Sequence, residues 1–368
     1  MPWLLSRFRT GGLVEVRSQE EILATLDQHG CMDGIPFMPE MLQFCGQRFR
    51  VSAVAHKTCE TARQTWKARR LQATVHLVGL RCGGSAHGGC QAECNLFWKD
   101  VWLKPADDKR GDSVEPSVDA SPALGGCTTS QLLAHTRLAL VAEEEEPRYS
   151  CQATTLYEAT EPLAWWDVRQ YVYDVITRNH SLGHVLRVLW LAFLKHSFQR
   201  MPLGYRLIKS FREQMHRWLT DREVPDFQGS IVRGEPTPTG RLSLQPGERV
   251  RIKSKEEIVK TLDETGKNRG LSFDAEMALY CGRIVTVRRS VTQIIDELAG
   301  NMRHMKQPCI MLEGIVCRSE YSECRLMCPR AIPSYWREIW LERIEDNQRS
   351  HDEPSLLEGV EANAGGAA

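Results

Sequence analysis

Residues 13–46, LVEVRSQEEILATLDQHGCMDGIPFMPEMLQFCG, align without a gap on residues 249–282, RVRIKSKEEIVKTLDETGKNRGLSFDAEMALYCG, and 15 of the 34 positions are identical. That is well above the agreement of unrelated segments, and self-similarity of this kind marks a duplicated supersecondary unit. The copies diverge and then converge again. Cys82, Cys90 and Cys94 match Cys317, Cys324 and Cys328, and Trp98-x3-Trp102-Leu103 matches Trp336-x3-Trp340-Leu341. The repeating unit spans roughly ninety residues.

Each copy carries the same local signals. Val14 and Val16 (Val250 and Ile252) alternate with charged residues, the pattern of a half-buried strand. Ser18-x-x-Glu21 and Ser254-x-x-Glu257 are capping boxes, each opening a short helix that Gly30 or Gly266 ends. Phe49 and Val51, then Val75, Leu77 and Leu80, then Trp98 and Trp102 predict further strands, with Val285/Val287, Ile310/Leu312 and Trp336/Trp340 as counterparts. Short strands around one helix predict an α+β protein: tandem duplicated small β-barrel-like modules, SH3-like and partly open, separated by a helical segment.

The expected organisation is a first cysteine-containing module at 1–104, a linker at 105–148 and a helical segment at 149–220. A second linker follows at 221–247, then a second cysteine-containing module at 248–346 and a disordered tail at 347–368. The run EEEE at 143–146 reads as a solvated charge run.

The chain has 368 residues, with 47 Lys plus Arg against 47 Asp plus Glu, so net charge favours neither nucleic acid nor membrane. The N-terminal MPWLLSRFRTGG lacks the apolar core of a signal peptide, and the longest apolar run, Val185 to Leu194, is interrupted by Arg187 and too short to span a bilayer. The expectation is a cytoplasmic protein. There, 13 cysteines read as metal ligands or buried thiols rather than disulfides.

The first copy spaces its thiols Cys45-x36-Cys82-x7-Cys90-x3-Cys94, and the second Cys281-x35-Cys317-x6-Cys324-x3-Cys328. Four thiolates meet the tetrahedral demand of zinc, and a small module gains folding energy from such a clamp. One zinc ion per module is therefore expected. An iron–sulfur cluster is the alternative cofactor, and reduced thiols packed as small apolar groups are the reading without metal. Cys31, Cys59, Cys127, Cys151 and Cys309 read as ordinary thiols, and Glu40 and Glu276 as helix-end carboxylates. Only the first copy has histidines near its cysteines, His56 and His87, which are possible additional ligands. GGSAHGG lacks the GK[ST] of a phosphate loop, and no GxSxG, HExxH or Rossmann fingerprint occurs.

Two basic stretches are candidate partner sites. Residues 46–104 hold ten Lys or Arg against three acidic groups, with Trp66 inside RQTWKARR, a weak signal for nucleic acid. Residues 181–219 hold seven Lys or Arg and one Glu, interleaved with aromatic residues. Peripheral contact with an anionic membrane is the less expected reading there, and a helical pair packed on the modules with its charges facing water the more expected one.

The phrases AHGGCQAECNLFWKDVWL (86–103) and CPRAIPSYWREIWLERI (328–344), with EEILATLD and LSFDAEMALYCG, resemble a family of uncharacterised bacterial proteins carrying one or two such modules. The resemblance covers both modules and the helical middle and implies the module boundaries but no reaction. The expected function is therefore non-catalytic: metal-stabilised modules binding a protein or another macromolecule. The alternative is a metalloenzyme, or a maturation or biosynthetic accessory factor, working at Cys82, Cys90, Cys94 and His87.

Overall fold

The computed structural model describes residues 3–106, 126–138, 147–199, 205–220, 227–321 and 326–344. The EEEE run, the expected tail and Cys324 lie outside these residues. The chain is mixed α/β, with several antiparallel sheets and few helices.

Each sequence copy folds into a five-stranded sheet of the same order. In the first, strand Leu13–Val16 pairs with Arg48–Val54, which pairs with Thr74–Leu77 and then Trp98–Lys99. A 3-10 turn at Asp100–Trp102 then turns the chain, and Leu103–Pro105 pairs back on the first strand. The second sheet follows the same path through Arg249–Ile252, Ile284–Ile295, Met302–Val316, Pro333–Trp336 and Leu341–Arg343, with its 3-10 turn at Glu338–Trp340. No closed barrel forms among the described residues.

The repeated letters explain the repeated fold. Val14 and Val16, like Val250 and Ile252, are fully buried, while Glu15 turns outward to Arg48 and Lys104. Both capping boxes form, on helices Gln19–Thr25 and Lys255–Val259. A threonine at the end of the first helix and one just past the second are each tied to a tryptophan: Trp102 Nε1 donates to Thr25 Oγ1 at 3.1 Å and Trp340 Nε1 to Thr261 Oγ1 at 2.9 Å. Phe37 meets Trp98 and Trp102 edge-on, as Phe273 meets Trp336 and Trp340. Identical core residues thus build two cores by the same contacts.

By contact, the chain forms two compact units. The first comprises Met1–Asp226, Val291–Pro308 and Val316–Ser334, and the second Phe227–Ser290, Cys309–Ile315 and Tyr335–Ala368. The middle of the chain supplies helices Thr129–Ala134, Arg169–Ile176, Leu182–Gln199 and Tyr205–Thr220. A one-turn helix, Gln152–Thr155, plugs into the first module. The buried Gln152 amide donates to the carbonyls of Pro36 and Phe97 and accepts from Phe97 N, at 2.8–3.0 Å. All the hydrogen-bonding capacity it spends is matched, as a buried amide requires.

Candidate metal centre

The glycine-rich stretch after Cys82 is a folding device. Cys82 N donates to Cys94 O at 2.8 Å, closing a loop whose two ends are cysteines. Inside it, Gly84 O accepts from His87 N and Gly89 N. Gly84 sits at φ +73°, and a Cβ there would lie 2.0 Å from Cys90 O, so only glycine fits. The tight turn carries the His87 ring inward, where it is 1% exposed. Glu40 arrives from the 3-10 turn Pro39–Phe44, held down by the buried Met41.

These elements bring three donors together. Cys82 Sγ lies 3.4 Å from His87 Nε2 and donates to Glu40 Oε1 at 3.4 Å, and His87 Nδ1 lies 3.5 Å from Glu40 Oε1. One sulfur, one ring nitrogen and one carboxylate oxygen all fall within 4.8 Å of one another. Glu40 Oε2 and His87 Nδ1 are buried without a hydrogen bond. Buried lone pairs of that kind are costly unless something satisfies them.

Beside the triad is a small cavity of about 30 Å³, lined by Cys82, His87, Cys90, Cys94, Cys151 and Glu297 among others. That is room for one or two water-sized atoms and no more. Burial pushes the Cys82 thiol far up, aided by Cys94 and Glu40, and pushes His87 down while Glu40 pulls it back. Burial likewise raises Cys94 to about 12 and Cys151 to about 11. Low polarity thus holds these donors neutral, and a bound cation would reverse this by stabilising the thiolate.

The residues expected from sequence are placed as follows. Cys82 and His87 are in the triad, and Cys90 and Cys94 line the cavity beside it. Cys45, half-buried against the first core, is not among the three donors. His56 is elsewhere: its Nε2 meets Gln170 O at 3.1 Å and Asp174 Oδ1 at 3.4 Å, and burial lowers its pKa to about 3. In the second copy, Cys281 packs against the core of the second unit, whereas Cys317 and Cys328 belong to the first. Cys317 Sγ lies 3.4 Å from Ser319 Oγ, and no histidine occurs between Cys317 and Cys328. Cys324 is outside the described residues.

The sequence reads Glu40 as a helix-end carboxylate and Cys151 as an ordinary thiol and gives Glu297 no ligand role, whereas the structure puts Glu40 in the triad and the other two on the wall of the cavity. Glu40 carries a signal in the sequence, since a glutamate, Glu276, stands at the same position of the second copy. Cys151 and Glu297 come from segments outside the first copy, and nothing in their spacing connects them to it. In the basic stretch 46–104, Lys57, Arg69, Arg70 and Lys99 are engaged with Asp174, Thr160, Glu161 and Asp33. No protein-family model matches the chain, and no curated protein matches it.

Proposed function

We propose that this is a metal-stabilised, non-catalytic binding protein of the cytoplasm, built on tandem SH3-like modules, with zinc clamping the first module through Glu40, Cys82 and His87. The observation that carries the reading is the pair of buried, unbonded atoms, Glu40 Oε2 and His87 Nδ1, next to Cys82 Sγ. A mixed sulfur, nitrogen and oxygen donor set suits zinc, whereas an iron–sulfur cluster asks for thiolates almost throughout. The cavity leaves space for a water as fourth ligand but none for a substrate, which favours a clamp over an enzyme. The strand order supports the SH3-like assignment: four strands paired in chain order, a 3-10 turn, and a fifth strand returned to the first.

Elemental analysis of protein purified without chelator tests the proposal. Zinc should be bound, and Cys82→Ser or His87→Ala should each remove one ion per chain while Cys45→Ser removes none. Acidification should release the metal, because protons compete for the Cys82 thiolate and His87. Metal-free, fully folded wild-type protein would refute the clamp. Loss of a further ion in Cys317→Ser or Cys328→Ser would extend it to the C-terminal copy.

A further inference from the structure

The helix Leu182–Gln199 packs Val185 and Val188 inward, against Tyr171 and Met327. Its opposite side is not polar. Leu182, Leu186, Trp190 and Phe193 are 45–58% exposed and follow one another at intervals of four, four and three residues, a single stripe along the helix. The Trp190 and Phe193 rings stack at 5.7 Å. A second stripe, Val168, Val172 and Ile176, runs along helix Arg169–Ile176 behind the exposed Trp165 and Trp166, and Trp218 projects from helix Tyr205–Thr220. Apolar side chains, and not charges alone, therefore face outward on these helices. A helix apolar on both sides is stable in water only when something covers its outer face.

Charge and residue type indicate what covers it. The whole chain is neutral, yet residues 181–219 carry seven Lys or Arg and one Glu, a local excess of six positive charges. Among the described residues, no helix is long and apolar enough to cross a membrane. Basic residues with Trp, Phe and Leu on a helix that cannot span are the composition of a segment lying in a lipid interface. Single-stranded nucleic acid would use the aromatic rings but has no use for Leu182, Leu186, Val172 and Ile176, which cannot stack on bases.

We propose that the exposed stripe Leu182–Leu186–Trp190–Phe193, in a segment whose sequence carries an excess of basic residues, docks on an anionic lipid surface. Aromatic and aliphatic side chains enter the boundary between headgroups and acyl chains, while Lys and Arg neutralise the headgroups. This rests on the reading of the chain as a binding protein but not on zinc, so metal analysis and lipid binding can fail separately.

The test is co-sedimentation of the full chain with phosphatidylcholine vesicles, with and without phosphatidylglycerol as about a third of the lipid. The chain should bind the anionic vesicles at low salt, shift its tryptophan emission to the blue, and release as salt rises and screens the headgroups. Leu186→Ser with Phe193→Ser should weaken binding about tenfold or more while leaving far-UV circular dichroism unchanged, since both side chains face solvent. No binding to anionic vesicles at low salt would overturn the proposal. So would a wild-type dimer that the same double variant converts to monomer, which would give the stripe to a second copy. Capture of a single-stranded oligonucleotide without vesicle binding would give it to nucleic acid and equally overturn the proposal.

Discussion

Removing Asp174 should destabilise the first unit more than removing any surface charge. Lys57 Nζ sits 2.6 Å from Asp174 Oδ2, with side chains 1% and 0% exposed. Lys57 also faces the Tyr171 ring at 5.3 Å, and Asn179 hydrogen-bonds Asp174 while bridging Val54 N and O. The pair therefore pins helix Arg169–Ile176 to the buried strand Lys57–Cys59. Burial raises the Asp174 pKa and Lys57 pulls it down, the signature of a carboxylate that depends on its partner. Asp174→Asn leaves Lys57 in a dry site without a counter-charge, at a cost of about 3–5 kcal/mol. Replacing both residues by apolar ones, Lys57→Met with Asp174→Leu, removes the charge and its desolvation together and should cost no more than about 1–2 kcal/mol. A double-mutant cycle built on the single variants Lys57→Met and Asp174→Leu should then show a coupling of at least about 3 kcal/mol. Urea unfolding followed by circular dichroism and tryptophan fluorescence measures it, with the two units treated as separate transitions. A single substitution costing under about 1 kcal/mol, or a double variant as damaged as the sum of the singles, would refute the reasoning.

Two further tests concern the candidate metal centre and the buried histidines. Gly84→Ala should destabilise the first unit by about 3 kcal/mol or more and abolish zinc binding, because its methyl meets a backbone carbonyl. Gly46→Ala, at nearly the same φ but with nothing within 4 Å, should cost only about 1 kcal/mol, and equal effects in calorimetry would show that the loop is not tight. Burial lowers His56 to about 3 and His76 to about 4, from an ordinary value of 6.5. Below pH 6.5 the unfolded chain takes up two protons that the folded one refuses, so stability is complete above pH 6.5 and falls toward pH 4. These two rings cost up to about 3 kcal/mol per pH unit, His180, also lowered to about 3, adds to the loss, and the raised carboxyl of Asp174 offsets part of it. A urea midpoint unchanged between pH 7 and pH 4.5 would contradict the neutral burial of both rings.

The duplication was legible because it is written in core residues. Val14 and Val16, the two capping boxes, Phe37 and the Trp98–Trp102 pair recur in the second copy, and each repeats its contact there. Local chemistry fixes such features: alternation sets which strand face is buried, and a serine three residues before a glutamate starts a helix. The capacity of Cys82 and His87 to meet was half legible, since the four residues between them, Gly83 to Ala86, cannot carry them far apart. Glu40 is 42 residues from Cys82, and Cys151 and Glu297 are farther away still, so only the folded chain brings them to one cavity. The same holds for Cys281, whose spacing matches that of Cys45 while Cys317 and Cys328 fold into the other unit. Spacing along a chain constrains distance over a few residues; beyond that, burial of apolar surface decides which segments meet, and it does so without regard to which polar atoms arrive with them. The exposed stripe on helix Leu182–Gln199 follows the same division. Its residues announce an apolar helix, but only packing one side against Tyr171 and Met327 leaves the other side facing out.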